Sequence, residues 1–280
     1  VIPVVETLIN GVPVACLPLA DRAIHYGDGL FETVAVRDGR PEFWERHMRR
    51  LQQGCARLGI PVPDSGCLAG EMRRLVRHQR RAVLKIIVSR GGGGRGYRPP
   101  EEPAPTRILA LHPWPEWPDT HMRDGVAVRI CTTRLGRNPR LAGIKHLNRL
   151  EQVLARGEWH DRSIAEGLML DTAGELVEGT TTNLFLVRKG RVQTPDLSRC
   201  GVAGIMREVV MEMAREQELP CETAHFTLAD LASAEEIFLT NSLVGIWPVR
   251  RVDAEEFPAP GPVTLSLQNH LEKIRSSFSP

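Results

Sequence analysis

Between positions 112 and 118 the chain reads His112-Pro113-Trp114-Pro115-Glu116-Trp117-Pro118, three prolines in seven residues. Each proline removes a backbone donor and locks φ, so neither a helix nor a central strand can run through this stretch. A chain of 280 residues interrupted there reads as two domains, 1–112 and 125–280, joined by a linker over 113–124. With 42% hydrophobic residues it has enough apolar content for a core in each.

Before the linker, short strands alternate with helices. Residues 4–9 and 12–16 flank Asn10-Gly11, a dipeptide that tolerates positive φ at both positions and so predicts a tight hairpin. Residues 30–37, the Asp38-Gly39 turn and residues 41–44 predict a second hairpin running into a helix. Apolar Met48, Leu51, Cys55 and Leu58 recur there at three- and four-residue steps until Gly59 stops it. A helix over 66–77 and strands over 82–89 and 106–111 complete this part. Beyond the linker the pattern predicts strands over 126–131, 166–170, 182–187, 237–240 and 246–249, and helices over 147–160, 203–218 and 263–278. The fold class is mixed α/β, with α+β character.

Several function classes fall away on composition and motif context. Thirty-six basic and 34 acidic residues leave a net charge of +2, too little to draw the chain onto nucleic acid or an anionic membrane. Arg73, Arg74, Arg77, Arg80 and Arg81 alternate with Leu75 and Val76 as a solvated helix face does. The apolar runs 83–88 and 127–131 are interrupted by Lys85 and Arg129 and fall far short of the roughly 20 residues that span a bilayer. The first six residues lack the pattern of a secretory signal, so a cytoplasmic location is expected. No Cys-x-x-Cys or His-Glu-x-x-His occurs, and no metal is expected. Gly91, Gly93 and Gly96 match Gly-x-Gly-x-x-Gly, but Tyr97-Arg98-Pro99-Pro100 follows, so no helix can begin there to face a pyrophosphate. Residues 91–105 read instead as a substrate loop.

Lysine carries the chemical information, because the chain has only Lys85, Lys145, Lys189 and Lys273. Lys189 sits in a polar turn and Lys273 among Glu272 and Arg275 on the last helix, both solvated settings. For Lys85, inside an apolar strand, structural and substrate-facing roles stay open. Lys145 follows Gly143-Ile144 and precedes a helix; there an amine against apolar neighbours can lose its charge and form a Schiff base, while a snorkelling surface lysine is the alternative. A lysine of that kind serving pyridoxal phosphate also requires a phosphate cradle and a partner for the pyridine nitrogen. Gly201 and Gly204 open a helix whose N–H groups suit a dianion, Thr240-Asn241-Ser242 offers hydroxyl and backbone donors, and Arg50 offers charge. Glu178 is the carboxylate candidate, against the reading of a turn glutamate.

In this order the elements resemble a known family. Asp21-Arg22, Gly27-Asp28-Gly29-Leu30-Phe31-Glu32-Thr33, His47-Met48-Arg49-Arg50, Arg134-Leu135-Gly136-Arg137-Asn138-Pro139 and Gly143-Ile144-Lys145-His146-Leu147-Asn148-Arg149 are similar to fold-type IV pyridoxal-phosphate enzymes. Within that group they are similar to the aminodeoxychorismate lyases, over nearly the whole chain. The resemblance implies a two-domain architecture with the site between domains, pyridoxal 5'-phosphate as cofactor, a homodimer, and elimination of pyruvate from an amino-chorismate to give 4-aminobenzoate. It implies Lys145 as the cofactor-bound lysine and general base and Thr33 as an aid to proton transfer. Glu178 is then the pyridine-nitrogen partner, with Arg50, Val202, Ala203, Gly204, Ile205, Ser242 and Leu243 around the phosphate. Arg95, Tyr97, Arg134 and Arg137 become candidates for the substrate carboxylates. Branched-chain aminotransferases carry a tyrosine five residues after the lysine, where this chain has Leu150; an aminotransferase of D-amino or branched-chain acids is the alternative reading.

Overall fold

The computed structural model of the chain describes residues 6–14 and 16–277, so positions 4 and 5 of the first expected strand, position 15 and Phe278 lie outside the described residues. The chain forms two compact units, residues 1–116 with 144–148, and residues 117–143 with 149–280. The segment 144–148, expected within the larger C-terminal part, thus packs with the first unit.

The first unit contains β1 (Glu6–Ile9), α1 (Arg22–Tyr26), β2 (Gly29–Arg37), β3 (Arg40–Pro41), α2 (Trp44–Leu58), α3 (Ser65–Val76), β4 (Arg81–Ser89) and β5 (Thr106–Pro113). Its strands form one antiparallel sheet in the order β1-β5-β4-β2-β3. Asn10 and Gly11 take positive φ, as do Asp38 and Gly39, and both turns form where expected. The strand expected over 12–16 does not follow: Pro13 removes a donor, and after the single Ile9–Val12 bridge the chain leaves the sheet. The α2 helix ends at Gly59, whose φ of +64° lets Ile60 N–H reach Cys55 O at 2.9 Å. Leu30, Val34 and Val36 of β2, with Leu84, Ile86, Leu109 and Leu111, are buried together with Met48, Leu51 and Cys55 of α2 and Leu68, Met72 and Leu75 of α3. The last strand runs through His112 to Pro113, past the expected start of the linker, because Pro113 can close the ladder opposite Ala82 at its end.

The second unit contains α4 (Thr120–Arg123), β6 (Val126–Ile130), α5 (Leu150–Arg156), β7 (Ile164–Leu170), β8 (Leu176–Gly179), β9 (Asn183–Arg188), β10 (Arg191–Pro195), α6 (Ile205–Glu216), β11 (Cys221–Ala224), α7 (Leu228–Ala232), β12 (Glu236–Asn241), β13 (Gly245–Val252), β14 (Glu255–Glu256) and α8 (Pro262–Ser277). Strands run β11-β10-β9-β12-β13-β6-β7-β8, and a further pairing of β8 with β9 closes six of them into a ring. Alternation divides the side chains: Leu168 and Leu170 join Val128, Leu184, Leu239 and Val249 in one core, while Met169 joins Cys131, Trp159 and Val177 in another. Phe185 and Phe238 stack at 4.8 Å as direct cross-strand partners. The helix expected over 147–160 is confined to α5, since residues 147 and 148 are used in the first unit. Cys55, Cys131 and Cys200 are buried, and burial pushes their thiols up to about 11, 12 and 12; Cys16 and Cys67 are exposed. No helix among the described residues is long and apolar enough to cross a membrane.

Candidate active site

In the first unit the site grows from β2. Gly27 ends α1 with φ of +59°, and a Cβ on Gly29 would stand 2.5 Å from Val88 O and 2.9 Å from Leu147 Cδ1. Two glycines thereby let the segment 144–148 lie against the strand. Phe31 N–H donates to Lys145 O at 2.9 Å, Leu147 N–H to Gly29 O at 3.0 Å, and Asn148 Nδ2 to Gly27 O at 3.0 Å. With its backbone held this way, Lys145 places its Nζ 4.4 Å from the centroid of the Phe31 ring. Thr33, two residues along and half-buried, pairs directly opposite Lys85 of β4.

Glu32, the residue between, points to the other face and is buried beneath α2. His47 Nδ1–H donates to its Oε2 at 2.7 Å and Arg50 Nε to its Oε1 at 2.8 Å. Burial alone would raise this carboxyl, but the charge and hydrogen bonds of Arg50, together with those of His47, hold it at about 2. Burial pushes His47 below its ordinary value, with the charges of Arg50 and Lys145 acting in the same direction against Glu32, so the imidazole is neutral at pH 7. Arg50, expected near a phosphate, is therefore oriented by Glu32. Neither Glu32 nor His47 stood out in the sequence, although both lie in motifs quoted above.

The loop after β4 is held from beneath. Arg22 donates to Gly96 O at 3.1 Å and Tyr97 O at 3.1 Å, while its Nε and that of Arg90 both reach Asp28 Oδ2 at 2.8 Å. Burial raises the Asp28 carboxyl less than the two arginines lower it, and it stays below the usual range. Arg95 and Tyr97 are exposed on this loop. No helix begins there, as the prolines require.

In the second unit the focus is the entry to α6. Glu178 of β8, 5% exposed, accepts the Val202 N–H at 2.8 Å, and Asn183, its cross-strand partner, donates from Nδ2 to Val202 O at 2.8 Å. On the other side Gly143 N–H donates to Gly201 O at 2.9 Å and Ala203 N–H to Gly143 O at 3.0 Å. Val202 is thus clamped from both edges. The helix then starts at Gly204, which has no side chain to cap it; a Cβ there would overlap Asn183 Oδ1. Ile205 is buried as the first helical residue.

Beside this entry, Thr240 is fully buried at the end of β12 and its Oγ1 has no hydrogen-bond partner. Asn241 Oδ1 accepts the N–H groups of Leu243 and Val244, both at 2.9 Å, fixing the turn that carries Ser242. Asn241 Nδ2 donates to Thr181 O at 3.3 Å, and the turn containing Thr181 is anchored on buried Glu166, which accepts from the hydroxyls of Thr180 and Thr181. Arg149, half-buried, has its guanidinium lowered by burial and raised by the charges of Glu178 and Glu151. Sequence reading gave no role to Glu166, Asn183 or Arg149, whereas the hydroxyl it named at Thr240 is the one found buried beside this entry.

Two of the proposed carboxylate ligands have other work. Arg137 binds Asp171 at 2.7 Å and Glu175 at 3.1 Å, and Arg134 donates to Cys131 O at 2.6 Å. These contacts are those of struts within the second unit. Leu150, at the position where a tyrosine marks the aminotransferase branch, is 69% exposed.

Comparison with known proteins places this geometry among relatives. The amino-transferase class IV family pattern matches residues 29–252. An aminodeoxychorismate lyase from Vibrio harveyi is 38% identical over 267 residues, covering 94% of this chain and 98% of its own length. The crystal structure of 4-amino-4-deoxychorismate lyase from Pseudomonas aeruginosa superposes with a TM-score of 0.92 at 49% identity, covering 95% of this chain and 98% of that one. The branched-chain amino acid aminotransferase from Escherichia coli superposes with a TM-score of 0.85 at 26% identity, covering 96% and 93%.

Proposed function

We propose that this chain, which belongs to the amino-transferase class IV family, converts 4-amino-4-deoxychorismate into 4-aminobenzoate and pyruvate with pyridoxal 5'-phosphate as its cofactor. The observation that carries the reading is Lys145, held by backbone hydrogen bonds to β2 with its amine over the Phe31 ring. Higher identity to the two lyases than to the aminotransferase supports elimination over transamination.

The residues suit the cofactor. In the second unit an unpartnered buried hydroxyl on Thr240, an uncapped helix start at Gly204 and the Ser242 turn would supply donors for a phosphate, and Arg50 is the cation this reading assigns to it. Glu178 would hold the pyridine nitrogen protonated, and Lys145 would bond to the aldehyde carbon. When bound, the group supplies an electrophilic aldehyde and a ring that takes up an electron pair.

With its amine free, Lys145 would act as the general base that removes the proton from the ring carbon bearing the substrate's amine. The bond from the neighbouring carbon to the enolpyruvyl oxygen breaks, the oxygen leaves with the electron pair, and the ring becomes aromatic. Thr33 would relay the proton taken up by Lys145 to the departing oxygen in this reading. Arg95 and Tyr97 are the loop candidates for a substrate carboxylate, whereas Arg134 and Arg137 are already engaged. A cytoplasmic homodimer belongs to the same proposal.

Incubating the holoenzyme with 4-amino-4-deoxychorismate is expected to release 4-aminobenzoate and pyruvate in equal amounts. Amino-group exchange between a D-amino or branched-chain acid and a keto acid, with no aminobenzoate formed, would overturn the assignment. A second test concerns the cradle: Gly204→Ala is expected to weaken cofactor binding about tenfold, because the new Cβ displaces Asn183 and with it the clamp on Val202. Fluorescence titration of apoprotein with pyridoxal phosphate reads it, and an unchanged dissociation constant would remove Gly204 from the phosphate site.

A further inference from the structure

Arg73, Arg74 and Arg77, expected as part of a solvated helix face, border a cleft. The Asp38-Gly39 turn is drawn against the chain that leaves α3: Asp38 N–H donates to Arg80 O at 2.9 Å and Gly39 N–H to Gln79 O at 2.8 Å. Gly39 has φ of +73°, and a Cβ there would stand 3.0 Å from Arg77 O, so this approach favours glycine. Turn and helix end together form a cleft of about 450 Å³ lined by Asp38, Gly39, Arg40, Arg73, Arg74 and Arg77.

Four guanidiniums meet one carboxylate there, in a chain whose total charge is only +2. Structural uses of arginine do not account for the concentration. The one acidic residue of α3, Glu71, is bound to Arg107 at 2.7 Å. Arg73 and Arg77 are four residues apart, a spacing at which like charges repel. Carbonyls at the helix end are already taken, Arg73 O by Arg77 N–H at 3.3 Å and Val76 O by Gln79 N–H at 2.9 Å. Arg74 donates to Gly11 O at 3.4 Å, and among the described residues neither Arg73 nor Arg77 has a carboxylate within ion-pair distance. Arginines beside the cleft are treated differently. Arg37 binds Glu42 at 2.8 Å, and Arg37 and its cross-strand partner Arg81 lie over the Trp114 ring at 4.9 and 4.2 Å. A concave site that gathers like charges against their mutual repulsion is suited to an anion.

We propose that this cleft binds a small polyphosphate, an anion of two or more linked phosphate groups, recognised through the phosphate chain alone. Guanidinium forks match phosphate oxygens in bidentate pairs, and several forks around one cavity match a chain of phosphates better than a lone carboxylate. The volume is that of a small-molecule site, and no aromatic side chain lines it for a base to stack on, which argues against nucleic acid. Phe31 and the Lys145 amine lie at the other end of β2, roughly 20 Å along the strand from Arg37 at the usual rise per residue. The proposal is therefore independent of the lyase reading.

Calorimetric titration of the holoenzyme with sodium tripolyphosphate, without magnesium, is expected to show one saturable site per chain. The double variant Arg73→Ser/Arg77→Ser is expected to weaken binding at least about tenfold. A charge-matched control on exposed arginines of the second unit, Arg140→Ser/Arg162→Ser, should stay within about twofold. Asp38→Asn removes the only carboxylate of the cleft while keeping a residue suited to the positive φ of the turn, and is expected to tighten binding about threefold. Inorganic phosphate should bind at least about tenfold more weakly than tripolyphosphate, and ATP within about threefold of it. Circular dichroism and unchanged turnover of the enzyme's own substrate establish that the variants are folded. Absence of saturable binding, or equal loss in the two double variants, overturns the proposal. ATP binding at least about tenfold tighter than tripolyphosphate overturns recognition through the phosphate chain alone, and displacement of tripolyphosphate by an equal phosphate concentration of single-stranded RNA overturns the small ligand.

Discussion

Lys145→Ala is expected to abolish turnover, lowering kcat by at least about four orders of magnitude, because one nitrogen serves as both the covalent anchor and the general base. The variant is expected to remain folded: the backbone bonds from Phe31 and to Gly29, and the Asn148 bond to Gly27, use no atom of the lysine side chain. Borohydride reduction followed by peptide mass spectrometry checks the assignment independently of activity. In the wild type the reduced adduct should lie on Lys145, and in the alanine variant it should be missing. An adduct on Lys85 in the unaltered protein would reverse the roles of the two lysines and remove the basis of the mechanism.

Glu32→Gln is expected to cost about 3 kcal/mol or more in stability to urea, since it removes the buried carboxylate that accepts from both Arg50 and His47. The same residue sets an acid limb. Its carboxyl is held at about 2 in the folded protein against an ordinary 4.5, so the ionised form is favoured by folding. That stabilisation is complete above the unfolded value and disappears as pH falls from about 4.5 towards 2. His47, also depressed, acts with the same sign: its contribution is present above its ordinary 6.5 and is lost as pH falls below it. Urea denaturation of wild type should therefore show stability falling between neutral pH and strong acid. In Glu32→Gln the fall between about 4.5 and 2 should be much shallower. Parallel acid limbs in the two proteins would show that the drop comes from carboxylates elsewhere.

Much of the candidate site could be found in the sequence because its residues are rare or sit in local turn chemistry. Lys145 emerges from a count of four lysines and a preceding glycine, and the helix at Gly204 from two glycines before an apolar repeat. Arg137 shows why such reading has limits: as a string it is a loose cation in a polar loop, but Asp171 and Glu175, far along the chain, occupy it. Lys85 shows the reverse. Its apolar neighbours in sequence suggest a residue to be buried, and only the register, with Thr33 on one side and Ala110 on the other, shows which face of the sheet it is on.

The sequence alone determined what depends on neighbouring residues: the tight turns at Asn10-Gly11 and Asp38-Gly39, the α2 helix and its stop at Gly59, the absence of a helix after Gly96, and the identity of the groups able to do chemistry. Those features follow from φ preferences and from periodicity, which act over a few residues. Tertiary structure decided which partners those groups meet: that residues 144–148 pack against β2, that Glu32 takes both His47 and Arg50, that β8 closes onto β9 and sets Glu178 beside Val202. Such pairings join segments distant along the chain, and hydrogen-bonding groups common to every residue make them. No local pattern records which segment will be chosen; packing of the whole sheet selects it.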